Sequence, residues 1–483
     1  MSLHVDRIDL ATALASGANP YLAGPYAPTH DEVTIDEFEV VGEIPHDLNG
    51  VYVRNGPNPQ FDPRGRYHWF DGDGMLHSVA FADGRVTYRN RWIRTEGFER
   101  ERRAGRALWS GILEPPADNP PDALEKDTAN TSIVFHHERL LALWYRAGKP
   151  YALDPLTLET LGADDFGGKL RCEASAHAKA DERTGDLCFF DYGMKPPYMR
   201  YGVVDAAGSL SHFVPVDLPG PRLPHDMAIT ANHSILMDLP LVNDRDAARA
   251  GRFKLFFDRE MPSRFAVIPR HGRTEDVRWF EAEPCFIYHS VNAREEGDEI
   301  VMDVCRVKQP EPRADLDGPL AQMLSYLRLD AHLHRYRFNL RTGATTEQML
   351  DDDNSEFPSI NQGLLGRGSR YAYHMHISRE KTLLFDGLMK YDLDAGTATT
   401  HWFGDGRWGS EAPLAPRPGA VEEDDGYLIS YVHDEREDQS EVVVLDAADV
   451  TAPPVCRIKL PVRVPLGFHA TWIPRERLPG GSA

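Results

Sequence analysis

The sequence predicts an all-β fold built from many short strands. Strand-like apolar runs recur along the chain and are separated by turns rich in Gly, Asp, Asn and Pro. The totals of 39 Gly and 36 Pro fit a turn-rich protein, and a chain of 483 residues can form one large β-barrel or β-propeller. The clearest predicted strands are Val51–Val53, Leu140–Trp144, Leu187–Phe190, Ser234–Met237, Phe253–Phe257, Phe265–Ile268, Ile300–Val304, Tyr427–Val432 and Glu441–Leu445.

Two segments predict β-hairpins. YALDPLTLETLG begins at Tyr151, and YDLDAGTATTHWFG begins at Tyr391. Each places an Asp-containing turn between two strand-like runs. No sequence repeat with a fixed period is visible, so periodicity alone leaves barrel and propeller open.

Helical patterns are scarce. A short helix is predicted over Asp9–Ala15, and a longer one follows a predicted N-cap at Asp317. The apolar stripe of this second helix has helical spacing and comprises Leu320, Met323, Leu324 and Leu327. The stripe is consistent with packing on the core, with a cap over a substrate entrance and with contact to a membrane. No low-complexity linker interrupts the chain, so we expect one domain over residues 1–483 with cap insertions.

The composition restricts the partners and the compartment. A formal net charge of -22 disfavours binding to nucleic acid and to anionic lipid, although it does not exclude an apolar substrate in a buried tunnel. The five cysteines form no C-x-x-C pair, which is typical of free thiols in a reducing compartment. The first twenty residues lack the apolar core of a signal peptide. We therefore expect a cytoplasmic protein.

Histidine is the residue type of this chain that best suits a metal site, but the spacing of the histidines does not show which of them are ligands. The chain has 20 histidines, and any one of them is more often a surface or core residue than a ligand. Adjacent or alternating pairs are attractive as ligands because residues i and i+2 of a strand face the same side. These pairs are His136–His137, His332–His334 and His374–His376. The residues alone therefore indicate a metal site with undetermined ligands.

A resemblance selects four other histidines. The segment RNGPNPQFDPRGRYHWFDGDGMLHSVAF, residues 54–81, resembles the N-terminal signature of the carotenoid cleavage oxygenase family. This family also includes retinal pigment epithelium isomerases and bacterial stilbene-cleaving enzymes. Further similar blocks follow in order along nearly the whole chain: EASAHAKADERTGDL, LPHDMAITANHSILMD, CFIYHSVNAREEGDEIVMDVCR, DDDNSEFPSINQ, EEDDGYLISYV and VPLGFHATWIP.

The resemblance implies a seven-bladed β-propeller with a small helical and loop cap over the substrate entrance. It also implies that four motif histidines bind Fe(II) near the propeller axis, namely His177, His225, His289 and His469. Imidazole is a good ligand for iron, and four neutral imidazoles leave the metal its +2 charge. An octahedral ion held in this way keeps two positions for oxygen and water.

The same resemblance implies glutamates that orient the ligand histidines through their second ring nitrogens. Glu356 matches the one that supports His289, and Glu411 matches the one for His469. The glutamate expected for His225 falls at Arg146, which cannot accept an imidazole N–H. Either another group supports His225 or the local alignment shifts.

The substrate is less well defined. Stilbene-cleaving relatives hold a phenol with a Tyr and a Lys, and the matching positions here are Ile112 and Tyr145. Residues that fit either a tunnel wall or ordinary core packing are Trp69, Phe70, Ile112, Tyr145, Phe286 and Phe357.

Three functions fit the sequence, and an isomerase or ester-cleaving enzyme on the same fold is a further alternative. The first is a non-haem Fe(II) dioxygenase that uses O2 to cleave a C=C bond of a carotenoid or apocarotenoid into two carbonyl products. The second is the same cleavage of a smaller phenylpropanoid, such as a stilbene or a vinyl- or propenyl-phenol. The third is a non-catalytic propeller that binds a lipid or a protein, which would have no need of the four histidines. For either enzyme we expect a hydrophobic alkene and O2 as partners, with transient contact to a membrane surface. The oligomeric state is left open.

Overall fold

The computed structural model describes residues 18–243, 255–310, 327 and 329–481, and in these residues it shows a seven-bladed β-propeller. Seven antiparallel sheets of four to six strands are arranged in a ring. Their innermost strands contact one another in succession around the axis. The prediction of an all-β propeller is therefore confirmed.

Blade 1 joins the two ends of the chain. Its strands are β1 Thr34–Ile35, β3 Gly50–Pro57, β4 Gly74–Ala82, β5 Arg85–Trp92 and β33 Ala470–Pro474. Strand β33 pairs antiparallel with β3, so the last strand of the chain completes the first blade. In blade 7, the early strand β2 Glu39–Gly42 pairs with β32 Cys456–Leu460. These two pairings close the ring.

The remaining blades follow the order of the chain. Blade 2 contains β6 Ser132–His136, β7 Arg139–Leu143, β8 Tyr151–Leu153 and β9 Thr160–Ala163. Blade 3 contains β10 Lys179–Ala180, β11 Leu187–Tyr192, β12 Met199–Val204 and β13 Leu210–Val216. Blade 4 contains β14 Met227–Ile229, β15 His233–Asp238, β18 Ser263–Pro269 and β19 Arg278–Ala282, with a separate hairpin of β16 Leu241–Asn243 and β17 Leu255–Phe257.

Blades 5 to 7 complete the ring. Blade 5 contains β20 Phe286–Glu296, β21 Glu299–Val307, β22 Ala331–Asn339 and β23 Thr345–Met349. Blade 6 contains β24 Ser355–Ser359, β25 Tyr371–Ile377, β26 Phe385–Asp392 and β27 Thr397–Trp402. Blade 7 adds β28 Arg407–Trp408, β29 Leu414–Pro416, β30 Gly426–Asp434 and β31 Gln439–Asp446 to β32 and β2.

Burial explains which strands the sequence predicts well. Middle strands such as β11 are buried on both faces because neighbouring blades pack face to face, and they have continuous apolar runs. Outer strands such as β13 alternate between exposed and half-buried residues. The predicted strands fall within observed ones with two exceptions. Trp144 lies one residue beyond β7 and forms an isolated bridge to Ser175, and Phe253 and Lys254 lie outside the described residues. The two predicted hairpins are confirmed as the β8–β9 and β26–β27 pairs.

The helix α1, Glu96–Ala104, was missed by the sequence analysis. Both ends of the helix have common capping residues. The Thr95 hydroxyl accepts the Phe98 N–H at 3.1 Å. Gly105 ends the helix in the left-handed conformation, with φ of 67°. Only Phe98 gives it an apolar buried face, and six of its nine residues are charged, so no apolar stripe marks it.

Most residues of the two predicted helices lie outside the part of the chain that the structure describes. Asp9–Ala15 and residues 317–326 lie outside the described residues, and Leu327 is helical and buried. The short 3₁₀ turns are Pro20–Leu22, Gly24–Tyr26, Trp69–Asp71, Pro116–Asp118, Thr274–Asp276, Gln362–Leu364 and Arg475–Arg477. No helix in the described part of the chain is long and apolar enough to cross a membrane. A single domain over residues 1–483 stays a prediction.

Strand β33 should carry much of the stability of the ring. Ile473 is 1% exposed and packs in a cluster with Val51 and Ile133 from two blades. We expect Ile473→Ala to lower the free energy of unfolding by about 2–5 kcal/mol, because truncation of a core side chain leaves a cavity. Urea denaturation measures the change. Val421→Ala is the control, since Val421 is 91% exposed and should change stability by less than about 0.5 kcal/mol.

Candidate metal centre

The innermost strands bring the four motif histidines together on the propeller axis. His177 precedes β10, His225 precedes β14, His289 lies within β20 and His469 precedes β33. His177 has ring-centroid distances of 4.7, 4.9 and 4.6 Å to His225, His289 and His469. Residues that are far apart in the sequence, from His177 to His469, therefore meet in one cluster.

The cluster has ligand atoms in a geometry that can hold a metal ion. One ligand atom each of His177, His225 and His289 lies within 4.8 Å of the others. His469 packs beside them edge to face, with its ring centroid 4.6 Å from that of His289. In the described part of the chain, the Nε2 atoms of His177 and His289 are buried and have no hydrogen-bond partner.

Burial favours the neutral form of three of these rings. Burial lowers the pKa of His177, His225 and His289 well below its usual value, and the neighbouring histidines lower it further. A neutral imidazole presents one nitrogen lone pair, which is the form that ligates a metal. The donor set therefore fits a transition metal ion that accepts nitrogen ligands.

The backbone at the cluster is held in unusual conformations. His177 has φ of 65°, in the left-handed region that residues other than Gly rarely adopt. Its N–H donates to the Ser132 hydroxyl at 3.1 Å, which fixes this bend. Near His469, a Cβ on Gly467 would lie 2.9 Å from the carbonyl oxygen of Asn55. Only Gly at this position lets the last inner strand pass so close to β3.

Two histidines have a glutamate on the second ring nitrogen. His289 Nδ1 makes a very short hydrogen bond to Glu356 Oε2, which also accepts Phe357 N–H at 2.6 Å. His469 Nδ1 lies 3.2 Å from Glu411 Oε1. Both glutamates are buried, and each comes from the inner edge of a blade that carries no motif histidine. Such contacts set the tautomer and direct Nε2 towards the axis.

His225 is supported differently. Within residues 18–243, 255–310 and 329–481, no carboxylate oxygen lies within ion-pair distance of its ring. Arg146 pairs with Glu125 instead, at 3.1 Å between Nε and Oε2. The Tyr288 ring packs against the His225 ring with centroids 5.1 Å apart.

Asp226, directly after His225, ties three histidine-bearing strands together. Its Oδ1 lies 2.7 Å from Nζ of Lys179 in β10 and accepts Met227 N–H of β14 at 2.7 Å. Its Oδ2 accepts Ser290 N–H and Oγ–H of β20 at 2.6 and 2.8 Å. Sequence analysis missed this residue, and the only available signal was its place beside a motif histidine.

The other attractive histidine pairs have separate partners. His136 Nε2 contacts Gly185 O at 2.8 Å, and His334 Nε2 contacts Glu347 Oε2 at 3.2 Å. His374 Nδ1 contacts the Ser355 hydroxyl at 3.1 Å. These residues belong to the blades and not to the axial cluster.

One cavity adjoins the cluster, and a second cavity shares one residue with it. The inner cavity has a volume of about 30 Å³ and is lined by Tyr145, His225, His289, Phe357, Phe468 and His469, among others. The outer cavity has a volume of about 420 Å³ and is lined mainly by segments around residues 59–73 and 101–128. Phe70 lines both cavities.

The predicted tunnel residues divide into three groups. Phe70, Tyr145 and Phe357 line the inner cavity, and Ile112 lines the outer one. Trp69 stacks on Tyr21 with centroids 5.2 Å apart, behind the wall. Phe286 packs on Tyr288 at 4.8 Å, also behind the wall. Sequence analysis missed Thr131, Tyr288, Leu329, Leu383 and Phe468, which line the inner cavity from elements distant in sequence.

Comparison with known proteins decides the family. The family model of the retinal pigment epithelial membrane protein (RPE65) matches residues 26–474. The chain belongs to this family, that of the carotenoid cleavage oxygenases. The family assignment makes it an oxidoreductase of the carotenoid cleavage dioxygenase type.

Individual relatives in the carotenoid cleavage oxygenase family cover nearly the whole chain. A carotenoid 9,10(9',10')-cleavage dioxygenase 1 of Arabidopsis thaliana is 37% identical over 95% of this chain and 90% of its own length. An isoeugenol monooxygenase of Pseudomonas nitroreducens is 32% identical over 95% and 98%. The crystal structure of Pseudomonas brassicacearum lignostilbene dioxygenase superposes with a TM-score of 0.86 at 30% identity, covering 94% of this chain and 98% of that one.

Asp226 should contribute to stability at this site. We expect Asp226→Asn to lower the free energy of unfolding by roughly 1–3 kcal/mol, because the buried carboxylate loses its charge and Lys179 loses its partner. Chemical denaturation tests this. Asp122→Asn is the matched control, since Asp122 is 68% exposed and pairs with Arg100 at the surface. Equal effects of the two substitutions would contradict the role given to Asp226.

Proposed function

We propose that this protein is a non-haem Fe(II) dioxygenase that cleaves one C=C bond of a carotenoid or apocarotenoid into two carbonyl products with O2. The observation that carries the proposal is the convergence of four histidines beside an apolar cavity. The carotenoid-cleaving relative at 37% identity supports the choice of substrate. The reaction breaks the alkene C=C bond and the O–O bond and forms two C=O bonds, so no external reductant is needed.

His177, His225, His289 and His469 would hold the iron. The buried, unpartnered Nε2 atoms of His177 and His289 support this assignment in the described part of the chain. Bound there, ferrous iron would supply an open +2 centre at which O2 can react with a neighbouring alkene. The protein's own residues orient the imidazoles and keep bulk water away from the reacting alkene.

The surrounding residues orient the imidazoles and exclude water. Glu356 and Glu411 accept the Nδ1 protons of His289 and His469, which leaves Nε2 as the ligating atom. Phe357 stacks on His469 with centroids 4.7 Å apart and lines the inner cavity with Phe468. These apolar walls limit the access of bulk water to the reacting alkene.

Cleavage of a smaller phenylpropanoid is the second candidate. The isoeugenol monooxygenase among the relatives favours it. The Tyr/Lys pair of stilbene-cleaving relatives is absent, since Ile112 and Tyr145 stand at those positions.

The setting of the reaction is also part of the proposal. Leu124 and Met194 line the outer cavity and are 52% and 59% exposed. They support transient contact with a membrane surface from which an apolar substrate could enter. The five cysteines are all unpaired, which supports the reducing cytoplasm as the compartment. We propose one catalytic domain over the whole chain.

Product analysis tests the function. The iron-loaded protein is incubated aerobically with carotenoids, apocarotenoids and hydroxylated stilbenes, and oxygen uptake and products are followed by mass spectrometry. Two carbonyl fragments, with one O2 consumed per alkene, are expected. A protein that binds no iron and consumes no oxygen with any alkene would overturn both enzyme functions.

Loss of one histidine should remove the centre. We expect His289→Ala and His469→Ala each to abolish cleavage and most iron binding, because each change removes a ligand and leaves a hole in the cluster. Metal analysis and oxygen uptake measure this. His334→Ala is the control, since His334 binds Glu347 in blade 5. Retained turnover in the two axial variants would refute the ligand assignment.

Glu356→Gln should leave a folded protein with activity lowered by about 10–100-fold, the usual effect of changing the partner of a metal-bound histidine. The amide keeps the size of the side chain but not its charge. Steady-state kinetics and iron affinity are the measurements. Glu347→Gln serves as the control, because this residue pairs with a histidine outside the cluster. No change in Glu356→Gln would make Glu356 a bystander.

A further inference from the structure

The wall between the two cavities contains a charged pair that the histidine cluster does not use. Tyr145 lines the inner cavity beside His225, and Arg146, the next residue, lines the outer one. Arg146 Nε donates to Glu125 Oε2 at 3.1 Å, and Nη2 donates to Oε1 over a shorter distance. Both members of the pair line the outer cavity, which shares Phe70 with the inner cavity beside the cluster.

We propose that the Arg146–Glu125 pair is a binding subsite for a neutral hydroxyl group at one end of the alkene substrate. The inference rests on the proposed alkene cleavage, and it names the residues that select one alkene over another. Pockets for small molecules are mostly apolar, with a few polar groups that set orientation. The outer cavity fits this pattern, with Ile112, Trp144 and Tyr192 as walls near the pair.

The chemistry of the pair selects a hydroxyl. A hydroxyl group can donate to the Glu125 carboxylate and accept from the Arg146 guanidinium at the same time. The Arg146 side chain is 18% exposed, so its charge is largely shielded from bulk water, whereas Glu125 is 50% exposed and within reach of a ligand. A purely hydrocarbon end would desolvate both charges without replacing their hydrogen bonds to water.

The surrounding charge disfavours an anionic end group. Six acidic residues line this cavity against three basic ones, Arg64, Lys126 and Arg146, so the lining has an acidic excess. A substrate carboxylate would meet these like charges. The subsite therefore distinguishes three versions of one alkene: hydroxylated, unsubstituted and carboxylated.

Kinetics on matched alkenes tests the subsite with the iron-loaded full chain. One set is trans-stilbene with its 4-hydroxy and 4-carboxy derivatives, and the other is an apocarotenal with its 3-hydroxy derivative. The wild type should prefer the hydroxylated member of the set that it cleaves. Arg146→Met and Glu125→Gln should each lower kcat/KM for that member by roughly 10–100-fold, mainly through KM, the range expected for a lost hydrogen bond to a charged group.

The unsubstituted alkene provides the internal control. Its kcat/KM should stay within twofold in both variants, and the iron content should not change. Arg341→Met is the matched protein control, because Arg341 pairs with Asp298 at 3.0 Å and neither residue lines the outer cavity. Glu125→Gln keeps the test valid if Arg146→Met does not fold.

Three results would overturn the subsite. These are equal losses on hydroxylated and unsubstituted alkenes, loss of iron in Arg146→Met, and no loss on any alkene. The first two would instead give Arg146 a structural role near His225. Failure of the wild type to cleave any alkene would count against the proposed function, which is a different outcome from cleavage without preference for the hydroxyl.

Discussion

The pairing of β33 with β3 is the constraint on which the rest of the structure depends. It joins the last inner strand to the first blade and places His469 next to the three histidines from blades 3, 4 and 5. The contact is tight because Gly56 and Gly467 allow the two backbones to touch. The Asn55 backbone binds the backbone of Phe468 and His469, so the contacts that close the ring also position His469 in the cluster.

The cluster is supported unevenly. Glutamates from blades 6 and 7 hold His289 and His469, whereas a backbone bend and Ser132 hold His177. His225 is held through its backbone, because the next residue, Asp226, connects β10, β14 and β20. A ring can be positioned either by a partner on its second nitrogen or by a rigid backbone on both sides.

Position 146 lies between the cluster and the outer cavity. An arginine there cannot orient an imidazole, and it pairs with Glu125 in the outer cavity instead. Its neighbour Tyr145 lines the inner cavity, and Phe70 lines both cavities. One substitution can in this way change both the support of the centre and the chemistry of the cavity wall.

The sequence by itself determined the all-β class, most middle strands and the motif histidines with two glutamates, because continuous apolar runs and ordered motifs are local signals. It could not reveal α1, which has only Phe98 as an apolar buried face. Nor could it place Asp226, Phe468 or the Arg146–Glu125 pair, since each acts through contacts between distant segments. The tertiary structure alone decided these, because closing a ring of seven sheets fixes which side chains meet at the axis.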